Sequence, residues 1–338
     1  MMIVATTVNL SARDFTYDID FKSVFDNREG DNNLTATKTI FFTNLAPEIG
    51  ISFNEGADAL KGGVVWNQPI GCEWQGSRVS PTLYFRHEAR KWNFTMGMLP
   101  RKYLHEELPD FLWCDSLAYF QHNIRGALVE AEGSHGFIDA YLDWRSMQSK
   151  TRREAFEIVV HGRYYPQGDI FFMGGHAMMN HFALTEDAPD DMHIVDNFMV
   201  NPYLGVDFSR HTALDSLMVR GGLLLTIERN RALDSGWKTP AGGWLEAVAQ
   251  WRWLGLKNSL YAGGIQMPSW QQHGAMLYLG EPYYQCKFYD RARVFADILR
   301  KGGVALRAEL DFNFTNNSFV FYQKLSLSVD IGGKIKLK

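Results

Sequence analysis

The stretch that decides the fold is VALRAELDFNF, residues 304–314. Its residue types alternate, so that Leu306 and Leu310 fall on one side of an extended chain and Arg307 and Asp311 on the other. A two-residue period is that of a β-strand, whose successive side chains point to opposite faces. This segment is therefore predicted to be a strand with one apolar face and one charged face.

The same alternation recurs along most of the chain and predicts about sixteen strands, with fourteen as the alternative. Only 104–117 and 269–279 could form short helices, and both lie between strands. The predicted strands are 14–25, 37–53, 59–68, 79–88, 92–99, 117–132, 137–145, 154–165, 169–182, 193–208, 217–227, 242–254, 259–265, 287–299, 304–314 and 319–331.

The connections between these segments also follow a pattern. Tight turns follow most even-numbered segments, such as 89–91, 133–136 and 300–303, whereas longer polar loops such as 100–116 follow most odd-numbered ones. Segment 209–216 is longer than a tight turn and breaks the parity. Short turns at one end and long loops at the other are typical of an up-and-down barrel in an outer membrane.

Composition excludes several classes of protein. Of the 338 residues, 46% are hydrophobic and 14% aromatic, which excludes a disordered chain. A net charge of −4 provides no basic surplus for nucleic acid. The longest apolar stretches, such as 221–227, are far shorter than the ~20 residues of a membrane-spanning helix.

Alternation alone does not separate a soluble sandwich from a membrane barrel. A single meander of about sixteen strands encloses a wide interior that apolar side chains could not fill, so the polar face is assigned to a wet lumen and the apolar face to lipid. Aromatic residues near segment ends, such as Tyr17, Trp66 and Trp144, fit interfacial girdles, with ordinary core aromatics as the alternative. The fold class is therefore predicted as all-β, a transmembrane up-and-down antiparallel β-barrel.

Six stretches carry a resemblance to a known family: LAPEIGISF (45–53), QPIGCEWQGSRVSPTLYFR (68–86), LPDFLWCDSLAYFQHNIRGAL (108–128), IDAYLDWRSMQSKTRREAF (138–156), APDDMHIVDNFMVNPYLGVD (188–207) and LKNSLYAGG (256–264). In them the chain resembles the porin-like outer-membrane β-barrels of the Bacteroidetes type, a largely uncharacterised family. The resemblance implies a barrel in the outer membrane of a Gram-negative bacterium and brings no catalytic residues. The sequence departs from the usual pattern of outer-membrane barrels because it does not end on an aromatic residue.

The chain divides into three parts. Residues 1–12 are mildly apolar and end in small residues, which indicates the remnant of a signal peptide, with a frayed N-terminus as the alternative. Residues 13–331 form the single barrel domain, and 332–338 are expected to be a C-terminal tail.

Motifs of enzymes and metal sites are missing from the sequence. It contains no Gly-rich phosphate loop, GxSxG motif or HExxH motif. Cys72, Cys114 and Cys286 stand singly, and three free thiols are expected, with a Cys114–Cys286 disulfide as the alternative. We therefore expect no enzyme activity, no cofactor and no metal.

Charged residues on the polar faces of the strands are the candidate pore lining. The third long loop, 100–116, is acidic and aromatic, so that it could fold inward and narrow the pore with Glu106, Glu107 and Asp110. Opposed acidic and basic rows across such a constriction would favour small polar solutes over apolar ones; a salt-bridged wall without a transport role is the alternative. The predicted lining residues are Arg86, Glu88, Asp139, Asp143, Glu157, Arg163, Arg220, Glu246, Arg252, Arg307, Glu309 and Asp311.

The sequence therefore predicts an outer-membrane porin that lets small hydrophilic solutes diffuse passively. A non-conducting barrel that serves as a structural or assembly partner in an envelope complex is the main alternative, favoured by aromatic loop residues such as 276–284. A soluble carbohydrate-binding β-protein and a membrane enzyme are less favoured. The expected partners are membrane lipid, lipopolysaccharide, the solutes and other envelope proteins, but no nucleic acid.

Overall fold

Sixteen antiparallel strands close into one barrel in the part of the chain that the structure, a computed structural model, describes. That part comprises residues 14–30, 34–189, 192–231 and 236–336. The expected signal-peptide remnant at 1–12 lies outside it. The predicted fold class is confirmed, with sixteen strands and not fourteen.

The strands follow the chain in order, and each pairs with its neighbours in sequence. The pairing of β1 with β16 closes the ring, so that no strand edge is left open to lipid. The bounds are β1 Asp14–Glu29, β2 Lys38–Phe53, β3 Asp58–Pro69, β4 Arg78–Glu88, β5 Trp92–Pro100, β6 Asn123–Gly133, β7 Gly136–Ser146, β8 Ala155–Tyr164, β9 Phe171–Phe182, β10 Val195–Asp207, β11 Ser216–Asn230, β12 Ala241–Trp251, β13 Leu254–Gly263, β14 Phe288–Lys301, β15 Val304–Thr315 and β16 Phe319–Lys336.

Side chains alternate between the outside of the barrel and its lumen. In β15, Leu310 and Phe314 are exposed on the outside, whereas Asp311 and Asn313 are buried inside. The apolar face thus points outward and the polar face inward, which is the arrangement of a barrel embedded in lipid. The two faces predicted for residues 304–314 are therefore confirmed.

The connections define the orientation in the membrane. Two residues join β6 to β7, β12 to β13 and β14 to β15, all at the end of the barrel where β1 begins and β16 ends. Most loops at the other end are longer, except residues 316–318 between β15 and β16. In outer-membrane barrels the short turns face the periplasm and the long loops face the exterior, so that both described ends of the chain lie on the periplasmic side.

Two of the external loops contain the helices. The third external loop, residues 101–122 (L3), contains α1 (Asp115–Phe120), and the seventh, residues 264–287 (L7), contains α2 (Trp270–His273). Each helix overlaps one of the two segments that the sequence marked as helical. No helix among the described residues is long and apolar enough to cross a membrane.

The predicted strand boundaries are wrong at the start of β6 and on both sides of the turn between β12 and β13. The sixth strand was expected from residue 117 but begins at Asn123, because the preceding residues form α1. The turn expected at 255–258 lies at Arg252 and Trp253, where Arg252 has a φ of 52°. Because Trp251 and Trp253 continue the two-residue period of β12, the sequence pattern gives no sign of this turn.

The last strand is longer than expected. It continues past residue 331 to Lys336, and Gly332–Lys336 pairs with Asp14–Asp18 of β1. Most of the expected tail at 332–338 is therefore part of the barrel, because β1 supplies backbone partners for it. The division into remnant, barrel and tail otherwise stays a prediction.

L3 and L7 occupy much of the lumen. Phe111 and Leu112 of L3 and Leu277, Tyr278 and Tyr284 of L7 are buried in one apolar cluster with residues of the wall. The interior of the barrel is therefore largely filled by its own loops, and the remaining space lies beside them.

Candidate functional site

L3 folds into the barrel because its centre is apolar. The ring of Phe111 packs edge-on against Trp244 and Tyr284 at centroid distances of 5.5 and 6.0 Å. The amides of Leu112 and Trp113 both donate to the carbonyl oxygen of Pro109, which forms a turn at this point. Burying a side chain such as Phe111 contributes ~1.5–3 kcal/mol, which favours the inward position of the loop.

L3 and L7 are joined by hydrogen bonds. The amide of Cys114 donates to the carbonyl of Leu279 at 2.8 Å, and the amide of Glu281 donates to the carbonyl of Asp110 at 2.7 Å. The amide of Asp115 donates to the carboxylate of Glu281 at 2.9 Å. The two loops therefore form one unit inside the barrel.

One side of L3 is acidic and faces basic groups of the wall. Glu106 lies 2.8 Å from Arg163 and 3.4 Å from Arg220. Asp110 accepts a hydrogen bond from the hydroxyl of Tyr284 at 2.7 Å, and burial raises the pKa of Asp110. These carboxylates hold L3 against β8, β11 and L7.

The strongest concentration of charge lies at the start of α1. Asp115 and Asp311 share three cations: Arg291 is 2.5 Å from both, Lys324 is 2.5 and 2.7 Å from them, and Arg293 is 2.8 Å from Asp311. Burial would raise the pKa of Asp115, but Arg291 and Lys324 hold it well below its ordinary value. Asp115 therefore stays ionised and fastens α1 to β14, β15 and β16.

The first residues of L3 are basic and face acidic groups. Arg101 pairs with Asp143 and lies 3.7 Å from Glu157. Its guanidinium also lies 3.8 Å from the ring centroid of Trp113, a cation–π contact within the loop. L3 thus contacts the wall of the barrel through both basic and acidic side chains.

Lys102 connects L3 to β1. Its ammonium lies 2.5 Å from Asp18 and 2.6 Å from Asp20. Burial opposes the charge of Lys102, but the two carboxylates raise its pKa above the ordinary value. The ammonium therefore stays charged in its contact with the β1 wall.

A cavity of about 520 Å³, bordered by both charged and apolar residues, remains between L3 and the wall formed by β1 to β5. A smaller cavity of about 280 Å³ lies toward the periplasmic end. Glu48 borders both, while Lys102 borders the first and Asp18 the second. The ion pair of Lys102 and Asp18 therefore separates the two spaces. The polar lining of the larger cavity includes Asp20, Lys22, Asn44, Glu48, Thr82, Lys102, His105, Glu106, Glu107, Asp115 and His122.

Eleven of the twelve predicted lining residues lie on strands with their side chains toward the lumen. Most are buried in ion pairs with each other or with L3, and a role in lining a conducting pore stays a prediction. The contacts are Arg86 with Glu88 and Glu130, Asp139 with His105, Asp143 and Glu157 with Arg101, Arg163 with Glu106, Arg220 with Glu246, Arg307 with Asp297, and Glu309 and Asp311 with Arg293.

The twelfth residue, Arg252, does not line the lumen. It belongs to the turn between β12 and β13, and its guanidinium lies 5.0 Å from the ring centroid of Trp251. The prediction for Arg252 is therefore wrong, because β12 ends at Trp251, the residue before it.

Several charged residues of the site were not predicted. Asp18, Asp20 and Lys324 lie on polar faces that the alternation had already identified, so that extending the same rule would have found them. Lys102 and Asp115 had no such signal, because they lie in a loop whose path depends on contacts distant in sequence.

Groups that could bind a metal are few in the described part of the chain. Asp18, Asp20 and Asp330 are the one set of three close enough to share an ion, and Lys102 already contacts two of them. The three cysteines are free thiols, and the alternative of a disulfide is not formed.

Comparison with solved structures identifies the architecture. OpdK of Pseudomonas aeruginosa, solved with vanillate, is 9% identical over 94% of this chain and 99% of that chain, with a TM-score of 0.54. OprD of the same organism is 8% identical over 98% of both chains, with a TM-score of 0.53. At such low identity the likeness shows the fold alone, that of a porin-like barrel.

The fold, the outward apolar face and these neighbours place the protein in the outer membrane and confirm the predicted porin-like barrel. No curated protein matches the sequence. A family model described as lipid A 3'-O-deacylase-type matches residues 8–332, nearly the whole chain. The chain therefore belongs to the lipid A 3'-O-deacylase-type family.

Proposed function

We propose that the barrel is a porin through which small hydrophilic solutes diffuse passively, along the cavities beside L3. The observation that carries the proposal is the cavity of about 520 Å³ between L3 and β1 to β5, which has charged groups on both sides. A narrow space with such a lining favours solutes that can form hydrogen bonds and disfavours apolar ones. Since L3 and L7 fill much of the lumen, the passage is narrow.

The charges beside this cavity support selectivity. Lys22 provides positive charge, whereas Glu48 and Glu107 provide negative charge; Lys102 and Asp20 also border the cavity but pair with each other. Groups of opposite sign across a narrow space create a local field that orients polar solutes. Glu107 is exposed and in no ion pair among the described residues, so its charge acts most directly on a passing ion.

Recordings from the full chain in planar bilayers test the proposal. We expect stable stepwise openings and a reversal potential in a salt gradient that moves toward anions when Glu106→Gln, Glu107→Gln and Asp110→Asn are combined. Glu107→Gln alone should move it in the same direction. Glu55→Gln, in a periplasmic turn outside the lumen, is the matched control.

The opposite result is equally definite. A folded barrel that stays electrically silent contradicts the porin proposal and favours the non-conducting structural or assembly partner. Openings whose selectivity is unchanged by the carboxylate variants would mean that solutes do not pass beside L3.

The family description adds a second candidate, hydrolysis of an acyl ester on a membrane lipid. The observation that favours it is His87 on the outer side of β4, whose Nδ1 lies 2.7 Å from Asp58. Asp58 in turn accepts a hydrogen bond from Asn54. A histidine oriented by a carboxylate can take a proton from water as the water attacks an ester carbonyl, which releases a fatty acid.

The position of His87 argues against lipid A as its substrate. This residue lies near the periplasmic end of β4, whereas lipopolysaccharide occupies the external leaflet. Incubation with vesicles of phospholipid and, separately, with vesicles that contain lipid A, followed by mass spectrometry, tests the candidate and its substrate. Release of fatty acid that is lost in His87→Gln would support an esterase, and no release would leave the porin proposal as the function.

A further inference from the structure

A groove of about 1020 Å³ lies in the outer wall of the barrel, across β7 to β10. Its sides carry outward-pointing apolar residues, among them Ile138, Val200 and Leu204, each more than a third exposed. Its volume is at the upper end of the range of ligand pockets, ~300–1,000 Å³. It is separate from the lumen cavities beside L3.

The floor of the groove lacks side chains at two positions. Gly162 of β8 and Gly175 of β9 are paired across the sheet and belong to its outward-facing positions. A Cβ at Gly162 would lie 2.6 Å from the carbonyl oxygen of Phe137, and one at Gly175 would lie 3.2 Å from that of Asn201. Neither position accepts a side chain without movement of the neighbouring strand.

The polar side chains on the membrane side of the groove lie at its periplasmic end; Glu132 also borders this end, but on the lumen-facing side of β6, 3.7 Å from His105. Lys91, in the turn between β4 and β5, lines this end together with Ser134 and His135, from the turn between β6 and β7. Lys91 is exposed and forms no ion pair within the described ranges. Both turns are periplasmic, so the cationic end lies at the level of the lipid headgroups of the inner leaflet.

The surroundings specify the occupant. A groove on the lipid-facing wall is in contact with acyl chains, and its apolar lining offers too few polar partners to hold ordered water. The lysine at the periplasmic end complements a phosphate group. Apolar walls that end in a cation at headgroup depth match one molecule of phospholipid.

We propose that this groove binds a phospholipid of the periplasmic leaflet. Its acyl chains lie over Gly162 and Gly175, and its phosphate contacts Lys91, with Ser134 and His135 as further donors. This binding is independent of passage through the lumen, since the groove opens to the membrane and not to the cavities beside L3.

Titration of the purified full chain with phosphatidylglycerol in detergent, followed by native mass spectrometry, tests the proposal. We expect one retained phosphatidylglycerol on the wild type. Lys91→Glu should weaken retention at least about tenfold, the loss that corresponds to one charge-assisted hydrogen bond. Ala177→Trp, which fills the groove from its outward face on β9, should also abolish it.

Matched variants elsewhere on the barrel control for general effects. Lys301→Glu changes an exposed lysine at the periplasmic end of β14, and Ala247→Trp adds the same bulk to the outer face of β12. Both should retain phosphatidylglycerol as the wild type does. Lys91→Glu lies in an exposed turn, where folding is not at risk. The proposal would be overturned if this variant retained phosphatidylglycerol as well as the wild type does. It would also be overturned if the wild type retained a diacylglycerol without phosphate equally well.

Discussion

The charged residues that face the lumen are surrounded by charged groups of L3 and of neighbouring strands. Asp143 and Glu246 face the lumen, as the alternation predicts, but both are buried in ion pairs, with Arg101 and Arg220. Removing one partner of a buried pair costs ~3–5 kcal/mol, because the other charge stays buried without compensation. Lumen positions are therefore less tolerant of substitution than an open, water-filled pore would make them.

His122 illustrates this at the end of L3. Its ring nitrogen Nε2 lies 2.6 Å from the side-chain amide nitrogen of Asn44. Its backbone carbonyl accepts a hydrogen bond from the backbone amide of Arg101, so that the first and last residues of L3 are joined. Burial, with a smaller contribution from Lys22, lowers the pKa of His122 to about 4. The neutral ring is thus part of the docked position of L3.

A pH dependence follows from this depressed pKa. An unfolded histidine takes up a proton below its ordinary pKa of ~6.5, whereas folded His122 resists protonation until about pH 4. The contribution of His122 to stability is therefore complete above ~6.5 and is lost as the pH falls toward about 4, by at most ~3 kcal/mol.

Unfolding free energies measured between pH 7 and 4.5 test this dependence. Wild type should lose stability more steeply than His122→Gln, whose amide can still accept the hydrogen bond from Asn44 but does not titrate. Identical pH profiles of the two proteins would show that His122 does not contribute.

At the scale of elements, the strands and the inward path of L3 could be predicted from the sequence, but the contacts between L3 and L7 could not. The two-residue period identified all sixteen strands because the two faces of each strand have different surroundings, lipid on the outside and polar groups of the lumen on the inside. It failed at Asn123 because a helix precedes β6, and at Arg252 because the alternation runs through a turn. Local patterns hold no information on contacts such as Asp110 with Tyr284, which are 174 residues apart.

The contact between L3 and L7 depends on a glycine. A Cβ at Gly280 would lie 3.0 Å from the carbonyl oxygen of Asp110 and even closer to that of Phe111. Gly280→Ala should therefore push L7 away from L3, break the hydrogen bond from Glu281 to Asp110, and cost ~1–3 kcal/mol. We expect a larger single-channel conductance and faster cleavage of L3 by a protease.

Gly243→Ala is the control for this variant, since a Cβ there meets nothing within 4 Å. It should behave as the wild type in both measurements. If Gly280→Ala left conductance and cleavage unchanged, L7 would not be holding L3 in the lumen.

For the whole molecule, closure of the ring decides stability in the membrane. A backbone amide or carbonyl without a partner costs several kcal/mol in lipid, so the pairing of the first strand with the last removes the largest penalty that the sheet could incur. This pairing runs from Asp14 with Lys336 to Glu29 with Phe321, along the full length of β1. The ring of Tyr17 also covers Gly333, whose missing side chain leaves room for it.

Removal of residues 332–338 tests the contribution of this seam. The deletion takes away the partners of Asp14–Asp18 and exposes the Tyr17 ring, so we expect less folded barrel in vesicles and a lower free energy of unfolding. Folded protein can be measured by its faster migration in unheated gels. A chain that ends at Lys336 keeps the pairing and should fold as the full chain does. Equal folding of both truncated chains would mean that the barrel closes without this end of β16, and that the seam above it, from Ile19 to Glu29, is sufficient.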